Sequence, residues 1–101
     1  PGLVDRPVRD VPGLKKLDVT FDPPWPNPPV DPSLPRIPAY VSGSVQTPLT
    51  DRTPLAISLN GRIAGTLRSW QEGDLRRFAF TLPPEAFRDG INRVRLFEIA
   101  R

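Results

Sequence analysis

A chain of 101 residues holds one small domain at most, with a thin core. It contains no cysteine, histidine or methionine, which excludes disulfides, thiolate metal centres and nucleophile–base pairs built on Cys or His. The net charge of +3, from 14 basic and 11 acidic residues, is too thin for a nucleic-acid surface, which gathers basic residues among aromatic ones.

Proline sets the character of the N-terminal half, where 13 of the 15 prolines fall in residues 1–54. Residues 1–13, PGLVDRPVRDVPG, read as an extended lead-in or linker, followed by a β-sandwich over 14–101. Residues 14–22 alternate, with Leu17, Val19 and Phe21 on one side and Asp18, Thr20 and Asp22 on the other, which predicts a half-buried strand. In residues 23–32 six of ten are proline, so helix is excluded and polyproline II or irregular coil remains. Trp25 lies in that run, either pinned to the edge of the sandwich or exposed as a contact residue.

A second strand is predicted over 39–46, with Tyr40 on one face and Val41, Gly43 and Val45 on the other. Gly43 marks a bulge or a close backbone approach. After a polar turn, residues 55–59 and then 62 or 63 to 70 read as two strands around Asn60-Gly61, a strong hairpin signal. A plain two-residue type I′ turn would send Ile63 and Leu67 to the face away from Leu55 and Ile57. A three-residue loop with Gly61 as a left-handed bulge pairs Ile57 with Ile63 and puts both apolar sets together, so that geometry is predicted. Residues 71–74 form a turn. Residues 76–82 form a strand with Phe78, Phe80 and Leu82 inward. Residues 83–87 suit one helical turn. Gly90 supplies a positive φ, and Asn92 can tie its side chain to the turn backbone. The last strand covers 92–100, with Val94 and Leu96 on one face and Phe97 and Ile99 on the other. It is either covered on both faces or bulged near Leu96.

Few residues point to chemistry. The carboxylate pairs Asp18 with Asp22, and Glu72 with Asp74, read as solvated surface rather than acid/base groups. Asp22 and Asp31 match no known cation loop, so no metal site and no cofactor is predicted. Ser42, Ser44, Ser58 and Ser69 lack a histidine partner. No glycine-rich phosphate loop is present, and no apolar run reaches membrane-spanning length. What remains is aromatic. Trp70 beside Arg68, together with Tyr40 and Trp25, form the candidate ligand-binding set, because an aromatic face near a guanidinium suits a sugar ring or a protein partner. The competing reading is that Trp70 caps the core. Arg77, Arg93 and Arg95 would line one face if the last two strands were neighbours. The fold class that follows is all-β, a single sandwich with a proline-rich N-terminal half, and no enzymatic role is predicted.

The run Leu59-Asn60-Gly61-Arg62-Ile63-Ala64-Gly65, then Phe78-Ala79-Phe80, then Gly90-Ile91-Asn92-Arg93-Val94-Arg95-Leu96, resembles galactose-binding-like jelly-roll domains, such as those of carbohydrate-binding modules. It covers about half of the chain, and because sugar sites in such domains lie in variable loops, no site residue carries over. The segments Leu3-Val4-Asp5-Arg6-Pro7-Val8, Ile37-Pro38-Ala39-Tyr40-Val41-Ser42-Gly43 and Pro54-Leu55-Ala56-Ile57-Ser58-Leu59-Asn60-Gly61-Arg62-Ile63-Ala64 are similar to an extracytoplasmic domain of actinobacterial multi-pass membrane proteins with sulfatase- or phosphoglycerol-transferase-like regions. That resemblance implies an accessory piece of a larger cell-envelope protein outside the membrane, whose partners are an envelope glycan or a neighbouring domain of the same chain. The missing methionine fits a piece of a longer chain.

Overall fold

The computed structural model describes residues 2–23, 39–83, 87–88 and 91–100. Trp25, the proline run, Asp31, residues 84–86 of the expected helical turn and Gly90 lie outside the described residues. The strands are β1 (Leu14–Lys16), β2 (Val19–Phe21), β3 (Ala39–Val45), β4 (Leu55–Leu59), β5 (Arg62–Leu67), β6 (Trp70–Glu72), β7 (Leu75–Leu82) and β8 (Val94–Ile99). They form two four-stranded sheets, ordered β1-β8-β4-β5 and β2-β3-β7-β6. All of these pairings are antiparallel. The protein is an all-β sandwich, the coarse architecture that the jelly-roll resemblance implies.

The residues expected to point inward make the core. Leu17, Val41, Val45, Leu55, Ile57, Leu59, Phe78, Leu82 and Leu96 form one buried cluster, against which Val19, Phe21 and Phe80 pack. Phe21 meets Phe78 edge to face, with ring centroids 6.0 Å apart, a favoured aromatic geometry. Gly43 is the close approach rather than a bulge: a Cβ there would lie 2.4 Å from the Thr20 carbonyl oxygen and 3.0 Å from the Phe78 ring.

Two elements read as single strands are each divided between the sheets. Residues 14–22 become β1 in the first sheet and β2 in the second. At the corner, Leu17 N–H donates to the Leu96 carbonyl (2.9 Å), and the Asp18 carbonyl accepts from Gln46 N–H (2.9 Å). Residues 62–70 divide in the same way into β5 and β6, with buried Ser69 at the corner. Because β1, β2, β5 and β6 are all edge strands, continuous chain laces the two sheets together along both sides.

The hairpin departs from expectation. Asn60 and Gly61 both have positive φ, 55° and 84°, and Leu59 pairs with Arg62, so the turn is a two-residue type I′. The bulge sits further on: Ser58 pairs with Ile63 and Ile57 with Gly65, leaving Ala64 as the extra residue. That shift brings Leu67 opposite Leu55 on the core face. Ile63 stays on the outer face with Ser58, yet both are 1% exposed. The parity argument assumed only one buried face, whereas every residue of β4 is buried.

The lead-in accounts for cover on the edge of that outer face. Asp5 N–H donates to the Ile63 carbonyl (2.7 Å), Ile63 N–H to the Arg6 carbonyl (2.9 Å), and Val8 N–H to the Gly61 carbonyl (2.8 Å). Pro7 thus bridges to Arg62 alongside edge strand β5. A short 3-10 turn, Val8–Asp10, follows. By Gly13 the chain has reached the opposite edge, where the Gly13 carbonyl accepts from Ala100 N–H (2.8 Å). The lead-in therefore ties the two edges of the first sheet to each other.

Candidate functional site

The side chains that alternate away from the core on the second sheet make up its outer face. Registers fix who stands beside whom: Thr20 opposite Ser44, Ser44 opposite Arg77, and Arg77 opposite Trp70 form one row across all four strands. A parallel row holds Ser42 opposite Ala79, and Tyr40 opposite Thr81 follows. Tyr40, at 64% exposed, and Trp70, at 41%, therefore share one face. Their Cα atoms are separated by two strand spacings and four residues of rise, roughly 16 Å.

Between them lies a polar network centred on Arg77. Its guanidinium donates to Asp22 through both terminal nitrogens, Nη1 to Oδ1 at 3.2 Å and Nη2 to Oδ2 at 2.5 Å, and to Ser44 Oγ at 3.0 Å. Ser42 Oγ–H donates to Asp22 Oδ2 at 2.9 Å, and Glu72 stands 3.6 Å from Arg77 Nε. The Arg77 hydrogen bond, then the Ser42 hydrogen bond, holds the Asp22 carboxyl below its usual pKa. Its bond to Asp22 raises Arg77 in turn. An ionised carboxylate held in this way is a hydrogen-bond acceptor at neutral pH, not a proton carrier. The hydroxyls, carboxylate and guanidinium are bonded to one another on the face that carries the two aromatic side chains.

Of the residues named from sequence, Tyr40 and Trp70 are thus brought to one face. Arg68 is exposed at the corner leading into β6, two residues before Trp70. Trp25 lies outside the described residues. Asp22, read as solvated beside Asp18, is instead bonded to Arg77, 55 residues away. Outward parity of Ser42, Ser44 and Arg77 was visible in the sequence, but the strand order that joins them to Asp22 was not. The expected arginine row does not form. The strand bearing Arg77 and the strand following Arg93 lie in different sheets, because the chain between β7 and β8 crosses the sandwich instead of turning back within one sheet. Leu75, 51% exposed, joins Trp70 and Glu72 at the lower end of the same face.

A second concavity lies at the Asn60–Gly61 end of the sandwich. Val4, Asp5, Leu59, Asn60, Arg62, Ile63, Ala64, Pro83 and Arg88 enclose about 580 Å3. Among the described residues no cluster of three or more Asp or Glu side chains gathers that would hold a metal ion, and no helix is long and apolar enough to cross a membrane. Comparison with protein-family models, curated proteins and solved structures returns no match.

Proposed function

We propose that the domain is a non-catalytic accessory module of a larger cell-envelope protein, held on the extracytoplasmic side, and that it contacts an envelope glycan across the outer face of the second sheet. The single observation behind this reading is the exposure of Tyr40 and Trp70 on one face, on either side of the Asp22–Ser42–Ser44–Arg77 network. Aromatic faces stack on the apolar faces of sugar rings, and hydroxyl, carboxylate and guanidinium groups between them match sugar hydroxyls. The placement outside the membrane and within a larger protein is supported by the sequence resemblance to actinobacterial envelope domains, and the glycan by the resemblance to galactose-binding-like domains.

A second reading, a structural module that orients a neighbouring domain and has no ligand of its own, is favoured by exposed Leu75 near Trp70. That pair adds a flat apolar patch of the kind that docks on protein. Tryptophan fluorescence separates the two readings. In a Trp25→Phe background Trp70 is the sole tryptophan, and its emission is followed as soluble cell-wall polysaccharides are titrated in. The glycan reading expects a saturable change that Tyr40→Ala weakens and Trp70→Ala abolishes in a parallel calorimetric titration. No change with any polysaccharide, alongside normal folding, would remove the glycan and leave the structural module.

A further inference from the structure

The cleft at the Asn60–Gly61 end is separate from the aromatic face and has a chemistry of its own. Its accessible apolar lining is exposed Val4 with partly buried Ala64 and Pro83, while Leu59 and Ile63 are buried. Among the described residues its lining holds two guanidinium groups, Arg62 and Arg88, and one carboxylate, Asp5. Each arginine is tied to backbone. Arg62 Nη1 donates to the Asp5 carbonyl at 2.8 Å, and Arg88 Nε donates to the Ile91 carbonyl at 3.2 Å. A guanidinium has five N–H donors, so each keeps most of its fork for a ligand.

The walls are also bonded to each other. Asn60 Nδ2 donates to Asn92 Oδ1 at 2.8 Å, and Asn92 Oδ1 also accepts from Arg88 N–H at 2.9 Å. Asn92 Nδ2 donates to the Arg88 carbonyl at 3.0 Å, and Asn60 Oδ1 accepts from Arg93 N–H at 2.9 Å. The turn between β4 and β5 and the chain leading into β8 are thereby one rigid rim. A volume of about 580 Å3 falls within the range of small-molecule sites, roughly 300–1,000 Å3. A cleft lined by Val4, Ala64 and Pro83 with two arginines beside them fits a small molecule that has an apolar face and one oxyanion.

We propose that this cleft binds an oxyanion-bearing small molecule or sugar unit, its phosphate or carboxylate held by Arg62 and Arg88 and its body resting on Val4, Ala64 and Pro83. Planar guanidinium forks match both anions bidentately. The proposal does not depend on the glycan surface around Trp70.

The test is a 1H–15N NMR titration of the uniformly labelled protein at fixed ionic strength. Sodium phosphate is the probe in one arm, sodium glucuronate in another, and sodium chloride serves as the control. The expected result is saturable movement of the Arg62 and Arg88 Nε–H signals and the Asn60 signals, with the Trp70 indole unmoved. Saturation by phosphate alone or by glucuronate alone tells which oxyanion is taken. Arg62→Gln and Arg88→Gln each weaken binding about tenfold or more, the usual worth of a hydrogen bond to a charged group. Arg88→Lys keeps part of the affinity. Signal dispersion of each variant reports folding, and Arg88→Gln carries the test if Arg62→Gln disturbs the edge pairing. Shifts that fail to saturate and match the chloride control would overturn the proposal, as would affinity unchanged in both glutamine variants.

Discussion

Replacing Gly43 with alanine tests how tightly the second sheet is packed. The added methyl would fall 2.4 Å from the Thr20 carbonyl oxygen, 3.0 Å from the Phe78 ring and 3.1 Å from the Phe21 Cα. The nearest atom belongs to the backbone of β2, so the ladder between β2 and β3 must open by more than half an ångström to admit it. Gly65 is the natural control. Its added methyl would also fall 2.4 Å from a neighbour, but that neighbour is the far end of the Phe80 ring, which can swing aside. Overpacking costs about 1–3 kcal/mol, and replacing glycine returns a few tenths through the unfolded chain. Gly43→Ala therefore belongs at the upper end, about 3 kcal/mol, and Gly65→Ala near 1 kcal/mol. At roughly 4–8 °C per kcal/mol for a domain of this size, the first lowers Tm by about 10–20 °C and the second by a few degrees. Urea denaturation followed by circular dichroism measures both, with unchanged m-values as the sign that only the native state is affected. Trimming the ring in a Gly65→Ala, Phe80→Leu double variant should show favourable coupling. Trimming Phe78 should not rescue Gly43→Ala, because the Thr20 carbonyl remains. Equal costs for the two glycines, or rescue of Gly43→Ala by Phe78→Leu, would refute the claim that main-chain proximity sets the penalty.

The lead-in should behave as part of the sheet. Removing residues 1–8 deletes the acceptor of the Ile63 N–H, so hydrogen exchange at Ile63 should accelerate strongly while Ile57, paired within the sheet, stays protected. Exposing a fully buried isoleucine of 1% accessibility adds a stability loss of about 1.5–3 kcal/mol; unchanged exchange at Ile63 would show that the edge pairing is not formed in solution. Asp22 predicts an acid effect of defined sign. Its folded-state pKa is depressed by Arg77 and Ser42, so its contribution is full above the unfolded value of about 3.9 and fades as pH falls below that. The Tm gap between wild type and Asp22→Asn should accordingly be largest near neutral pH and shrink on acidification; a gap that stays constant down to low pH would contradict the Arg77 pairing.

Much of the fold was legible because inward parity survives whatever sheet a strand joins. Leu17, Val19 and Phe21 point to the core exactly as alternation requires, although the strand that carries them changes sheets between β1 and β2. In a sandwich both inner faces look at one core, so a period of two cannot say which sheet a residue is in. The same blindness joined β5 to β6. Around Asn60-Gly61 the parity argument failed: the turn is the two-residue type I′ it rejected, Ile57 pairs with Gly65 instead of Ile63, and the bulge lies at Ala64. The argument gave Ile63 the core face, whereas lead-in residues 5–8 pair along that edge and Ile63 is buried on the outer side. Asn92 tying its side chain to the adjoining turn was readable locally, since the donor to it, Arg88 N–H, is four residues away. The candidate face was legible only in parts. Tyr40 and Trp70 were visible as separate aromatics, but their common surface depends on β3, β7 and β6 lying side by side, and the Asp22–Arg77 bond joins residues 55 apart in the chain.

The lacing of both sides by continuous strands bears on motion. A sandwich whose sheets meet only through side chains can breathe by hinging about one long side. Here β1 runs into β2 on one side and β5 into β6 on the other, so any such hinge would have to tear a covalently continuous strand from one of its ladders. Opening along either long side is thereby disfavoured relative to fraying at the two ends. A scaffold of this kind resists the hinging that would alter the spacing between Tyr40 on β3 and Trp70 on β6.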